Sequence, residues 1–367
     1  MLYHLMTSLP MMTCAFFSIL IMLAWRDSQL REQRILLCYM LTATMLYTGH
    51  YVFFNHAGRL IPYTDIVYVF ANLAVYPLYL IYIIRLTSQW KSRYWWCLLP
   101  AFVGAFAVAI TYTKMTAEET SRFVECYLYH DRTAGLTGLA LSQAWTHAIC
   151  KVVFAVEVVA TVIVGSQLIR RYDKAVDHFY ADTDDKSMRN IQSILYLVFV
   201  AAAMSFVANI IGRSCFTDSA WLLAVPSVAF SILLFAIGYL GLHRNFSYSD
   251  LANDRVGLLG AYDMFLPDKT LAERIVDVVE KDRIYLQPNL KLEDLARIMN
   301  TNRTYVYQAI NRQMGTSFNE LINRQRVTYA EQLMTSQPDL SVNDVAIQSG
   351  FASLSSFYRN LKKYKTN

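Results

Sequence analysis

Charge is scarce in this chain. Asp, Glu, Lys and Arg make up 17% of its 367 residues, against about 25% in an ordinary soluble domain. Hydrophobic residues reach 55%, and mean hydropathy is +0.28. A chain this apolar is not soluble throughout its length. Cysteine is sparse too: six residues over this length do not make a disulfide scaffold. Cys14, Cys38, Cys97 and Cys150 fall in or at the ends of apolar runs, where cysteine serves as a small hydrophobe. No Lys or Arg precedes the first apolar run and no small-residue cleavage site follows it, so no cleaved secretory signal is expected. There is no His-Glu-x-x-His helix, no glycine-rich nucleotide loop and no pair of broken helices of the transporter kind. Catalytic residues, a metal and a cofactor are therefore not expected.

What is present divides near His243–Ser249. Apolar runs of spanning length stop at Leu242, and a polar linker and ordinary soluble helix follow. A bilayer needs about 20 mostly apolar residues per helical span. Seven such runs occur: Leu9–Trp25, Ile35–Phe54, Ile66–Ile84, Trp96–Thr113, Ala144–Ile169, Ile191–Gly212 and Trp221–Leu242. Pro77 and Pro226 are expected to kink their spans, which membranes tolerate.

Lys and Arg set the orientation. They cluster in the first connection (Arg26, Arg31, Arg34), the third (Arg85, Lys91, Arg93) and the fifth (Arg170, Arg171, Lys174, Lys186, Arg189). The alternate segments are poorer, or offset by acids as in the long fourth connection. The odd connections are thus expected in the cytoplasm, the N-terminus outside and the C-terminal domain inside a bacterial inner (cytoplasmic) membrane. Cys126 and Cys215 then share the outer side, and a disulfide between them is expected to clamp the fourth connection over the bundle. Within the spans, Glu157 lies near the middle of the fifth. Lys151 and His147 lie nearer its outer end, four residues apart and so on one face. An intramembrane ionisable group is either a sensor or ligand site or a bundle-holding hydrogen bond. Glu157, Lys151 and His147 are the candidate sensor residues.

After the linker, Asp268 to Lys281 reads as an amphipathic helix with Leu271, Ile275, Val278 and Val279 on one face. Leu292–Met299 is a short helix, Asn300-Thr301-Asn302 a turn, and Arg303–Gln313 a second helix ended by Gly315. Leu292, Leu295, Ala296, Val306, Ala309 and Ile310 would form the core between them. Asn302, Arg303, Thr304, Tyr307, Gln308 and Asn311 are left on the outer face, as a recognition helix presents them to the major groove. A longer helix follows from Ser317 to Met334, with Ser317 and Glu320 spaced as a capping box. The theme then repeats: Ser341–Ser349, a turn at Gly350-Phe351, and a second candidate recognition helix from Ser353 to Lys363. Ser353, Ser355, Ser356, Arg359, Lys362 and Lys363 are its candidate DNA contacts. From Leu295 onward nine basic residues face four acidic ones, Arg326 counted among the bases.

This arrangement resembles the AraC family of transcription regulators over Leu292–Tyr364, and loosely from Asp268. The resemblance rests on Val345-Ala346, Gly350-Phe351, Ser355-Ser356-Phe357, Arg359 and Leu361-Lys362-Lys363, and on the linker-helix pattern Phe318 to Met334. It implies two helix-turn-helix units joined by the linker helix, with recognition helices in successive major grooves. The family commonly continues into a final short helix and carries a sugar-binding barrel. Here the sequence reads only to Asn367, and apolar spans stand in the barrel's place.

The expected architecture is all-α. A seven-span sensor domain occupies residues 1–242, a linker 243–267, and a double helix-turn-helix domain 268–367 with a self-contained core. The expected function is that of a membrane-embedded regulator which binds double-stranded DNA under control of a small-molecule or periplasmic signal. Lipid and a second copy of the chain are its further partners. The alternatives are a helix-turn-helix domain that binds protein, and a membrane enzyme or transporter with a regulatory tail. The first would predict a neutral or acidic recognition face, and Arg303, Arg359 and Lys362 argue against that.

Overall fold

The computed structural model describes residues 2–28, 31–183, 186–211, 220–243 and 269–364. Among them the chain is all-helical, with one isolated antiparallel bridge, Tyr180 to Lys291, and no strand. The chain divides into two compact units. One is Met1–Ile169 with Arg189–Asn245; the other is Arg170–Met188 with Phe246–Asn367.

The first unit is built from long apolar helices: α1 (Leu2–Ser28), α2 (Arg31–Phe54), α3 (Ile61–Thr87), α4 (Leu99–Lys114), the short α5 (Ala117–Arg122), α6 (Gly138–Asp177), α7 (Arg189–Ile211) and α8 (Ala220–Leu242). Helix α1 packs on α2 and α8, α2 on α3, α3 on α4, and α7 on α8. Small residues bring the backbones together. A Cβ at Gly238 would collide with the Phe17 ring, and one at Gly241 with Leu36. Among the described residues six helices are long and apolar enough to cross a membrane: Tyr3–Arg26, Arg31–Phe54, Gly58–Thr87, Ser92–Lys114, Gly138–Asp177 and Trp221–Leu242. The run expected over Ile191–Gly212 falls on α7, part of whose side chains lie outside the described residues.

These helices turn apolar stripes outward. On α6, Trp145, Ile149, Val152, Val156, Val159 and Ile163 recur at alternating spacings of four and three and are 48–65% exposed. On α8, Trp221, Val225, Val228, Ile232, Phe235 and Tyr239 repeat the pattern. Water does not tolerate contiguous apolar surface of this extent, whereas hydrocarbon does. The fourth connection is not a bare loop. Thr116 caps α5 in a reciprocal capping box with Glu119. A π-helical turn, Phe123–Tyr129, then buries Phe123, Tyr127 and Leu128 against Val52, Ile61, Leu136, Ala140 and Ala144.

In the second unit, α9 (Lys269–Lys281) buries Ile275 and Val279. Helices α10 (Leu292–Ile298) and α11 (Arg303–Gln308) follow, and α11 passes into a π-helical turn at Ala309–Gln313. Helix α12 (Phe318–Ser336) links this pair to α13 (Val342–Gln348) and α14 (Leu354–Tyr364). Asp268, expected to cap α9, lies outside the described residues.

The expected boundary at residue 268 differs from the structure. Arg170–Met188, the end of α6 and the connection after it, belongs with the second unit. Ala181 N–H donates to Leu290 O at 3.1 Å, and Leu292 N–H to Phe179 O at 3.1 Å. The physical reason is Arg326 on α12. Its side chain is fully buried, and its guanidinium requires a carboxylate, which Asp182 supplies at 2.9 Å.

Candidate DNA-binding surface and intramembrane cluster

The first helix-turn-helix forms as its sequence dictates. The Asp294 carboxylate accepts the Lys291 N–H at 3.0 Å and satisfies the start of α10. Asn300 turns the chain at φ 47°. Asn302 caps α11 by accepting the Thr304 N–H at 3.0 Å. All six expected core residues are buried: Leu292, Leu295, Ala296, Val306, Ala309 and Ile310.

Its outer face is less open than the periodicity implied. Thr304 is 8% exposed and folds into the unit instead of facing outward. Arg303 is held by Glu293 on α10 at 3.2 Å, with its side chain only 14% exposed. Tyr307 is half-buried. Its ring lies 5.9 Å from that of Phe179 at an interplanar angle of 17°, with His178 edge-on at 5.7 Å. Gln308 and Asn311 are half-buried, and Asn311 donates to Tyr307 O at 3.1 Å. Arg312, which the sequence reading passed over, is exposed.

The second unit repeats the design with other surroundings. Ser341 caps α13 by accepting the Asp344 N–H. Gly350 makes the turn at φ 81°, where a Cβ would lie 2.6 Å from Tyr285 O and 2.7 Å from Leu286 Cα. Only glycine fits so close to backbone. Ser353 caps α14 by accepting the Ser356 N–H at 3.1 Å. Ser356 is buried, and Asn360 one turn later donates to its carbonyl at 2.9 Å. It lies on the inward face with Phe357 and Asn360, so the expectation that it reads bases is corrected. Ser355, Tyr358, Lys362 and Lys363 are exposed along the other face, with Arg359 half-buried beside them. Tyr358, 55% exposed, was missed. Its position three residues after Ser355 and four before Lys362 was the signal.

Linker helix α12 starts at Ser317, which accepts the Glu320 N–H at 3.1 Å. The Glu320 carboxylate pairs one turn on with Arg324 at 3.0 Å. Arg326, counted among the basic residues, lies in the core. It donates to Tyr285 O and Gln287 O, both at 2.7 Å, as well as to Asp182. Burial lowers its pKa, and the Asp182 charge opposes that shift. The second Asp182 oxygen accepts the Asn289 N–H at 2.8 Å. Asn319 and Asn323 donate to Ala181 O at 2.7 and 2.9 Å. Residues 180–182 thus sit in a polar socket, which sequence reasoning did not find.

Within the first unit, His147 and Lys151 do come together. His147 Nε2 is 2.9 Å from Asp65 Oδ2, which also accepts from the Tyr112 hydroxyl at 2.8 Å. Lys151 pairs with Asp131 of the fourth connection at 3.0 Å and lies over the Tyr127 ring. Asp65, His147, Lys151 and Asp131 line a cavity of about 940 Å³, otherwise walled by aromatic and aliphatic side chains such as Tyr47, Tyr68, Tyr76 and Phe230. Glu157 is not part of it. Its carboxylate oxygens are shielded, with no hydrogen-bond partner among the described residues. Cys126 is a free thiol packed on the fourth connection's apolar cluster. Its expected partner Cys215 lies outside the described residues. Among the described residues no group of His, Cys, Asp and Glu is arranged to hold a metal ion.

A family profile described as a helix-turn-helix domain matches residues 295–366. No curated protein and no solved structure matches the chain. The matched stretch covers both helix-turn-helix units and the linker helix. It is a DNA-binding domain of transcription regulators, a regulatory class and not an enzyme family.

Proposed function

We propose that this chain is a membrane-embedded, one-component transcription regulator of AraC type. The outward apolar stripes of α6 and α8 carry this reading, because they lie on the same chain as the helix-turn-helix domain. On the seven spans read from the sequence, the N-terminus lies outside and the DNA-binding domain in the cytoplasm, which the basic odd-numbered connections support. The cavity around Asp65, His147, Lys151 and Asp131 is the sensor site. Its volume suits a small molecule, and it offers a few polar groups in an apolar wall. Glu157 stands apart as a bundle residue. Base reading falls to Tyr307, Gln308, Asn311 and Arg303 in the first unit and to Ser353, Ser355 and Arg359 in the second, with Lys362 and Lys363 on phosphates.

The test is selection of duplexes from a randomised pool by the full chain in lipid nanodiscs, followed by binding at increasing salt. The expected result is a recovered sequence whose affinity falls steeply with salt. Failure to recover any duplex would favour the second reading, a helix-turn-helix domain that binds protein.

A further inference from the structure

We propose that residues His178–Asp182 of the fifth connection form an autoinhibitory strap. It withholds the first recognition helix from DNA and leaves the second free. This rests on the DNA-binding reading above and adds how that binding is restrained.

The strap is a built contact, not a loop lying on a surface. Tyr180 and Lys291 form an antiparallel bridge, flanked by the two backbone hydrogen bonds between 179–181 and 290–292. Ala181 O receives two asparagine side chains from the linker helix, and Asp182 receives Arg326 and the Asn289 N–H. At the other end Phe179 stacks on Tyr307, with His178 at its edge. A tyrosine stacked in this way cannot also lie against a base edge. Among the described residues the second recognition helix carries no such cover: Ser355, Tyr358, Lys362 and Lys363 are exposed.

The two ends of the strap differ in kind. Arg326 is fully buried, so losing Asp182 would strand a charge in the core. At the Phe179–Tyr307 contact no charge is stranded: Phe179 is buried and Tyr307 half-buried, and uncovering a ring costs less than stranding a charge. The geometry therefore assigns an anchor at Asp182 and a gate at Phe179. Release moves the gate and leaves the anchor in place. The strap begins one residue after the end of α6, the helix that carries His147 and Lys151.

Tyr180 and Lys291 form the non-hydrogen-bonded kind of antiparallel pair, with Cα atoms expected about 4.5 Å apart. That spacing lies within disulfide range. The full chain carrying Tyr180→Cys and Lys291→Cys, held in lipid nanodiscs, is to be compared oxidised and reduced. The probe is the duplex recovered from a randomised pool by the reduced protein. Oxidation should weaken binding about 2–10-fold, the range that an aromatic contact of this kind converts to. Reductant should restore it, and neither single-cysteine variant should respond. Equal affinity in both states, or tighter binding when oxidised, overturns the proposal. A bond that mass spectrometry shows not to form contradicts the pairing itself. In an independent variant, Phe179→Ala should bind the same duplex more tightly even though loss of a buried ring lowers the melting temperature. Weaker binding, measured at a temperature where the variant stays folded, would make the strap a support, not a brake. If the reduced protein recovers no duplex, the DNA-binding reading fails and the strap proposal with it.

Discussion

The two helix-turn-helix units share a pattern and differ in their neighbours. Each has a capped short helix, a turn with a residue in the left-handed region and a second helix presenting polar residues. In the first, Arg303 is tied to Glu293, Thr304 is buried and Tyr307 is stacked on Phe179. In the second, Ser355, Tyr358, Lys362 and Lys363 are exposed, with Arg359 half-buried among them. The difference teaches that a recognition helix is defined by its sequence but made usable or unusable by what packs on it. Here the cover comes from a segment more than 100 residues earlier in the chain.

Removing the anchor is the harshest way to break the comparison. Asp182→Ala leaves Arg326 buried without its carboxylate and should destabilise the second unit by about 3–5 kcal/mol. Chemical denaturation of the full chain, followed by hydrogen exchange at residues 285–292, reads this. For the same reason a fragment starting near residue 269 should unfold more easily than one to which residues 170–188 are fused. Equal stability of the two would show that the socket contributes nothing.

Gly350→Ala should cost about 1–2 kcal/mol or more, since it combines left-handed strain with a Cβ pressed on the backbone of Tyr285 and Leu286. The loss should appear in melting of the second unit, and an unchanged melt would mean that the turn relaxes freely.

Arg303→Ala sharpens the contrast on the DNA side. Losing a base-reading arginine should weaken binding by about 1–3 kcal/mol and relax one base position. An unchanged preference would leave Arg303 as a partner of Glu293 and nothing more. Lys362→Ala should have the smallest effect, a uniform weakening across sequences with the salt slope reduced by about 1. A change in sequence preference instead would move Lys362 from phosphate to base.

The parts governed by local periodicity were legible in the sequence. The long apolar helices, the helix-turn-helix cores and the Ser317 cap follow from spacings of three and four and from capping chemistry. What was not legible depends on partners far along the chain. Asp65 lies one residue outside the expected third span, and nothing local pairs it with His147, 82 residues later. Arg326 looks like any other base on a polar helix until Asp182 is brought to it. Thr304 and Ser356 sit at the margins of short helices, where one step around the axis decides between core and solvent. The strap itself, His178 to Asp182, has no helical or strand period. Its shape comes from the socket.

The central claim is that one recognition helix stands open while the other is held. The most direct measurement is a hydroxyl-radical footprint of the nanodisc-held full chain on its recovered duplex, with wild type beside Phe179→Ala. Two protected segments about one helical turn apart are expected. In the wild type the segment under the second unit should be protected strongly and the other weakly, and Phe179→Ala should equalise them. Equal protection of both segments in the wild type, or none in either protein, would contradict the account.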